Sequence, residues 1–466
     1  MEANVGVPGR PRIIIAGASG YIGKAVLPAL LERFPFAQVT ALSRAHQVSD
    51  DPRITWKACD LFSLKALEDC LPAEADLAFY LVHSMGPTAQ LDQGSFADYD
   101  LILADNFARM MQKLRIQQLI YLGGLIPEAQ VLSLHLQSRL EMEETFAHYK
   151  LPTTFFRAGL ILGEAGSSFQ ILLKLVKRLP VMICPRWTQN LTTPVDLDSV
   201  VRALVDSSLV AEHTGAIYDL AGCRPLTYME MMKQTARRLR LKRWFFSVPV
   251  FTPTLSRLWV SLITRSPKNL VYPLIASLEH TMVARESHLF FQDRSQRTYA
   301  ELLENASMKT HSGVSLFHFH AQRKTVRSVQ RLPLPPGKNA AWIKDQYINW
   351  LPRFLSPLIH VEVVGAQVVF CFLNRRLKLL ELRLSEDRSH DERQLLYIKG
   401  GILVSEQNRG RLEFRVALDG RCVLSAIHDY SPSLPWFAYK YTQAILHLLV
   451  MRAFARYLLA STGNET

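Results

Sequence analysis

The chain has 466 residues, 48% of them hydrophobic and 20% charged, with a formal net charge of +13 at pH 7. That composition excludes a disordered chain, and the length exceeds one ordinary core, so two or three globular units are expected. The positive charge suits an anionic partner: a nucleotide, a nucleic acid or a bilayer surface. With no zinc-finger spacing, RNP-like aromatic signature or sustained basic arm, nucleic acid is set aside.

The opening MEANVGVPGRPR has no apolar h-region, and Cys59, Cys70, Cys184, Cys223, Cys371 and Cys422 form no CxxC pair. Thiols scattered through apolar stretches read as reduced core residues, so a cytoplasmic location is expected, with peripheral contact at the inner membrane left open. From Arg12 to about Gly222, the β-branched runs RIIIAG, QVTALS, ITWKAC, LAFYLVH, QLIYLG, TTFFRAG and AIYDLAG alternate with amphipathic stretches. That alternation predicts an α/β fold with a doubly wound parallel Rossmann sheet. Ser63 before LKALEDCL and Ser95 with Asp98 three residues on mark helix starts.

GASGYIG follows the first strand and opens a helix. Gly17 permits a tight turn, Gly20 lets a pyrophosphate approach the backbone, and Gly23 lets helix and strand pack closely. Ser19, Tyr21 and Ile22 share this turn and are counted with it as cofactor-binding residues; a ligand-free turn is the bland alternative. At the end of the second strand stand Ser43 and Arg44. No carboxylate is there to grip the ribose hydroxyls of NAD, so NADP(H) is favoured and NAD(H) remains an option. Arg44 as a solvated loop residue is the alternative. Asp60, followed by Leu61, either accepts from an adenine amino group or caps the next helix. After the fourth strand, His83 and Ser84 lie at the cofactor crevice, Ser84 toward the nicotinamide ribose and His83 as a cofactor-side or packing residue.

The GxxGxxG spacing, with ALSR, ACDLFS, YLVHSMG, FFRAGLILG and TTPVDLDSV, resembles the atypical extended short-chain dehydrogenase/reductases, including the NmrA-like branch. The whole order, with RSVQRLPLPPG and INWLPRFL, resembles the bacterial YbjT-like two-domain proteins. The resemblance implies an NAD(P)-binding fold and says little about substrate. Such reductases use a Tyr, a Lys four residues later and a Ser or Thr. Here Gly123 and Gly124 stand in place of the Ser, and HLQSR puts His135 at the Tyr position and Arg139 at the Lys position. His135 as proton donor and Arg139 as ribose holder make one reading. The other is a polar helix start and a solvated face on which Arg139 pairs with Glu143. TTPVDLDSV is expected to close over the site and to start a helix capped by Asp196 or Asp198.

Thr227 to about Ala306 reads as mainly helical, and RRLRLKRWFF running into VPVFTPTLSRLWVSLI is a basic-then-apolar pattern suited to a membrane surface. Pro249, Pro253 and Arg257 favour a helical satellite instead. Periodicity fades near Met308, dividing the chain into 1–310 and 311–466. The second domain reads as an α+β unit: a strand, one or two helical pieces, an antiparallel meander and a long final helix, an order resembling helix-grip domains. Lys440, His447, Arg452 and Arg456 argue against that helix spanning a membrane. Trp436, Phe437, Tyr439, Tyr441 and Phe454 either line a cavity for an apolar ligand or fill the core. His318 and His320 lack nearby Cys or carboxylate ligands, and no metal is expected. The functional expectation is reduction of an apolar carbonyl or enone with NADPH. Its rival is a non-catalytic NADP(H)-sensing or assembly module, and lipid handling at a bilayer surface is a third reading.

Overall fold

A computed structural model describes residues 9–83, 91–129, 131–249, 260–266, 268–293, 296–306, 325–373, 377–407 and 409–462. The chain divides into two units, Met1–Gly86 with Asn106–His318 and Pro87–Asp105 with Phe319–Thr466.

In the first unit, β1 (Arg12–Ala16), β2 (Gln38–Ser43), β3 (Ile54–Ala58), β4 (Leu77–Tyr80), β5 (Gln118–Gly124), β6 (Thr153–Ala158) and β7 (Ile217–Leu220) are the seven runs read from the sequence. They form a parallel sheet in the order β7-β6-β5-β4-β1-β2-β3. The chain moves outward from β1 to β3 and then crosses to β4 on the other side of β1. That reversal makes a switch point, where such sheets hold ligands at the carboxyl ends of their strands. Ile13–Ala16 and Leu77–Tyr80 are fully buried, as strands covered on both faces must be.

Among the described residues, the helices that accompany these strands include α1 (Tyr21–Arg33), α2 (Leu64–Cys70), α3 (Phe96–Leu114, of which the part from Asn106 onward belongs to this unit), α4 (Leu134–His148), α5 (Ser167–Arg178), α6 (Leu197–Asp206) and α7 (Tyr228–Arg238). Val26 and Leu30 of α1 and Val200 and Leu204 of α6 share one core with Ile13, Ile15 and Phe79. A second core joins Phe169 and Leu173 of α5, Met231 and Met232 of α7, and Leu302 of α9 (Tyr299–Asn305), with α8 (Lys268–Ser277) adding Val271 and Ile275. The mainly helical reading of Thr227–Ala306 needs one correction: Trp244–Ser247 is a strand, paired in parallel with Val181–Cys184. Arg240, with φ 56° in the left-handed region, breaks the course of α7 before the aromatic run. Bulky aromatics suit the extended backbone that follows.

The second unit contains β8 (Val326–Pro333), α10 (Ala340–Phe354), β9 (Ile359–Val364), β10 (Gln367–Phe372), β11 (Leu377–Leu384), β12 (Arg393–Gly400), β13 (Arg411–Ala417), β14 (Cys422–Tyr430), α11 (Trp436–Tyr441) and α12 (Gln443–Thr462). Its sheet is an antiparallel meander from β9 to β14, with β8 beside β14. The short strand Leu91–Gln93 runs parallel to β8 at the edge. Residues 87–105, counted from the sequence with the first domain, therefore group with the second unit. Gln93 donates to the Ala444 carbonyl at 2.9 Å, and the Tyr99 hydroxyl donates to the Arg327 carbonyl at 3.0 Å.

Ala340 and Ile343 of α10 and Met451, Phe454 and Leu458 of α12 cover the apolar sheet face carrying Leu396, Leu412, Phe414 and Val423. Phe454 packs edge-on to Tyr347 and tilted against Trp350, with ring centroids 5.2 and 5.1 Å away, and Tyr439 is likewise buried. These two are core. Phe437 and Tyr441 turn outward, so they do not line an interior cavity. Trp436–Ser461 is long and apolar enough, by length and composition, to cross a membrane. It bends at Thr442, packs its inner face on the sheet, and exposes Lys440, Arg452 and Arg456.

His447 lies within 3.2 Å of the Ser328 hydroxyl, and burial pushes its pKa down to about 4. An unfolded imidazole takes its proton near pH 6.5 while the folded one refuses it, so folding stability falls as pH drops from about 6.5 to 4. The loss is at most about 3 kcal/mol. Urea titrations at several pH values should show this acid slope, and His447→Gln should flatten it by up to one proton.

Candidate functional site

The glycine turn joins β1 to α1. Gly17 has φ +87°, and a Cβ there would lie 2.8 Å from the Leu81 carbonyl oxygen. A Cβ on Gly23 would stand 2.3 Å from the Gly17 carbonyl oxygen and 2.7 Å from the Ala18 Cα, so this glycine lets α1 touch the turn. At Gly20 a Cβ would meet only the Gly17 oxygen, at 3.0 Å, and otherwise open space. The first turn of α1 carries no acidic residue and no side-chain cap, leaving its amide groups directed outward for an anion.

The remaining residues of the turn divide between lining and packing. Ile22 packs against the core. The Tyr21 hydroxyl fills the space above Gly163, where a Cβ would collide with it, and the Tyr21 ring also abuts Gly166. Burial, aided by Asp198 and Glu164, pushes that phenol up to about 12, so it stays protonated. The Ser43 hydroxyl, buried at the end of β2, donates to the Ser19 hydroxyl at 3.1 Å and ties the strand to the glycine turn. Arg44 next to it is exposed. The Asp60 carboxylate accepts from the Phe62 amide at 3.1 Å, whereas the cap of α2 is Ser63, which accepts from Ala66; the capping alternative for Asp60 is thereby corrected. Leu61 is buried, and its carbonyl accepts from Asn106 at 2.8 Å.

Beyond the carboxyl ends of β4 and β5, three of the expected residues meet. The rings of His83 and His135 stack at 5.4 Å with 8° between their planes. An Arg139 guanidinium nitrogen lies 3.3 Å from Nδ1 of His83. A guanidinium only donates, so Nδ1 accepts and the neutral ring carries its proton on Nε2. Ser84 lies outside the described residues, as do His318 and His320. His135 is the second residue of α4, whose N-cap Ser133 accepts from the Leu136 amide.

Arg139 is buried, and its partner is not Glu143. Glu143 instead takes a two-point contact from Arg157, at 2.9 and 2.5 Å. The solvated-face reading of Arg139 fails because α4 turns both charged residues inward. Arg157, a charge within the buried run TTFFRAG, was the sequence signal that such a partner existed.

Tyr121 was missed from the sequence. Its ring folds back so that a Cβ on Gly123 would lie 2.7 Å from it, while a Cβ on Gly124 would rest 3.7 Å from the Arg139 side chain. A side chain at Gly123 would therefore require the buried Tyr121 ring to shift. Asp196, not Asp198, caps α6, accepting from the Ser199 amide at 2.8 Å and pairing with Arg297 at 2.8 Å. Burial opposes this carboxylate, but Ser199 and Arg297 together hold its pKa below the usual range.

Fold and turn define the first unit as a Rossmann-like unit with a glycine turn at its switch point. Residues 13–130 match the model of the NAD dependent epimerase/dehydratase family. A nucleoside-diphosphate-sugar epimerase from Staphylococcus aureus shares the fold at 12% identity and TM-score 0.50, over 63% of this chain and 99% of that one. A triphenylmethane reductase from Citrobacter sp. does so at 16% identity and TM-score 0.50, over 63% and 99%. In sequence, 117 residues are 31% identical to the auxiliary protein GraX of Staphylococcus aureus; the match takes in 25% of this chain and 37% of GraX.

Proposed function

We propose that the first unit binds NADP(H) and reduces a carbonyl or enone carried on an apolar molecule. The observation that carries this reading is the cradle at Gly20. A Cβ-free backbone meets open space there, beside an acid-free helix start and next to Ser43 and Arg44. These residues fit a dinucleotide with an extra phosphate: amides for the pyrophosphate, and an exposed guanidinium for the 2′-phosphate. Asp60 and Leu61 would border the adenine, and His83 with Ser84 the nicotinamide side. A bound nicotinamide would supply hydride. His135 would hold the proton destined for the substrate oxygen, and Arg139 would hold ribose hydroxyls as a fixed cation.

A second reading, a non-catalytic NADP(H)-sensing module, draws on the same geometry. Tyr121 crowds the serine position, and an arginine cannot release charge to tune a neighbouring acid as a lysine can. Titration of NADPH fluorescence followed by a panel of aldehydes, quinones and enones separates the two. Binding with NADPH oxidation that falls at least tenfold in His135→Gln supports reduction, whereas binding with no turnover supports sensing. Failure to bind either dinucleotide removes both. Arg44→Asp should weaken NADPH relative to NADH by about 10- to 100-fold, the worth of one charge-assisted contact; an unchanged ratio removes Arg44 from the phosphate site.

A further inference from the structure

The paired strands Val181–Cys184 and Trp244–Ser247 are apolar on both faces. Their register sets Val181 beside Trp244 and Ile183 beside Phe246. Successive strand residues point to opposite faces. Met182, Cys184 and Phe245 face inward onto the α5 and α7 core. Val181, Ile183, Trp244 and Phe246 form a two-by-two block on the outer face, each between 49% and 67% exposed. Single exposed apolar residues are ordinary, but a contiguous block of this kind marks an interaction surface.

The charge carried by the two strands' own segments has one sign. The two segments that contain these strands, 165–195 and 231–278, hold no Asp or Glu. Arg237, Arg238, Arg240 and Lys242 are all exposed just before the aromatic strand. Exposure then alternates from Lys242 through Trp244 to Phe246, so the ammonium group and the two rings belong to one outward row. Arg243 differs: its guanidinium donates to the carbonyls of Val176 and Lys177 at 2.7 and 2.9 Å and serves the fold.

We propose that this face is a docking site for the surface of an anionic lipid bilayer. A tryptophan-led apolar block would enter the headgroup boundary, while the basic rim would lie against phosphate groups. A second copy of the chain is a poor occupant, since it would bring the same positive rim against itself. The site is independent of the dinucleotide reading, because none of its residues borders the glycine turn.

Flotation of the full chain with vesicles of phosphatidylcholine alone, or mixed with phosphatidylglycerol, tests this. The chain should float with the mixed vesicles only and be released at high salt. Each basic residue near such a surface accounts for about a five-fold gain in partitioning. The variant with Arg237, Arg238, Arg240 and Lys242 all changed to Gln should therefore lose flotation, and so should Trp244→Ser with Phe246→Ser, both with unchanged melting temperatures. Arg243 is left intact to protect the fold. Failure of the parent chain to float, or flotation of both variants like the parent, overturns the proposal. So does self-association, or capture by an acidic protein, that the Trp244→Ser change abolishes while vesicle binding stays absent.

Discussion

Gly20→Val should lower dinucleotide affinity by about 100-fold, roughly 3 kcal/mol, while leaving the melting temperature nearly unchanged. Gly20 already has extended backbone, φ −72° and ψ 173°, which a β-branched residue adopts without strain. Its added Cβ would stand 3.0 Å from the Gly17 oxygen, a contact that a shift of a few tenths of an ångström in the turn relieves. The branch would occupy the open space where a pyrophosphate must approach. Gly23→Ala is the contrasting case. Its methyl would stand 2.3 Å from a backbone oxygen, and α1 would have to move away from β1. Overpacking against backbone costs about 3 kcal/mol or more, so both stability and binding should fall. Isothermal titration with NADPH alongside thermal melts reads the two effects separately. Equal affinity in Gly20→Val and the parent chain would show that no phosphate approaches this glycine.

The seven parallel strands were legible because a sheet buried on both faces demands unbroken β-branched runs, and RIIIAG or LAFYLVH can be little else. The glycine turn was legible for a similar local reason, since strand, turn and helix are consecutive in the chain. What the sequence hid depends on partners far apart. The fate of Arg139 was decided by Arg157 on β6 capturing Glu143, and the crowding at Gly123 by how Tyr121 folds back. The strand Trp244–Ser247 was hidden because its partner lies some sixty residues earlier, at Val181–Cys184. Residues 91–93 carry no local sign that they complete a sheet formed beyond residue 325.

The same limit applies to GRLEFRVAL. Polar residues that alternate along a meander strand ordinarily face solvent, yet Arg415 and Glu413 of β13 are each only 1% exposed. The Glu413 carboxylate accepts from Arg393 at 2.6 Å and from Arg415 at 2.5 and 2.8 Å, and it lies 2.7 Å from Nε2 of His428. Arg415 also reaches the Asp105 carboxylate at 2.5 Å. Burial works against the Glu413 charge, but Arg415, His428 and Arg393 outweigh it and hold that carboxyl well below the usual range. For His428, burial outweighs Glu413 and lowers the imidazole pKa.

Glu413→Gln should therefore be strongly destabilising, by about 3–5 kcal/mol, because it removes the buried charge on which Arg393, Arg415 and His428 converge. Urea unfolding should show the loss as a lower midpoint, with the slope unchanged if the unit stays two-state. The pH dependence has a definite sign. A carboxyl depressed in the folded state stabilises above its unfolded pKa of about 4.3, and that contribution fades as pH falls through its folded value. The parent chain should thus steepen its acid loss below about pH 4.3, and Glu413→Gln should lack that component. Replacing Asp105, Arg393, Glu413 and Arg415 together with Leu, Met, Leu and Met should recover much of the loss, because removing a buried ion cluster whole costs far less than removing one member. A quadruple variant no more stable than Glu413→Gln would show that the cluster's worth lies in packing geometry rather than in charge compensation.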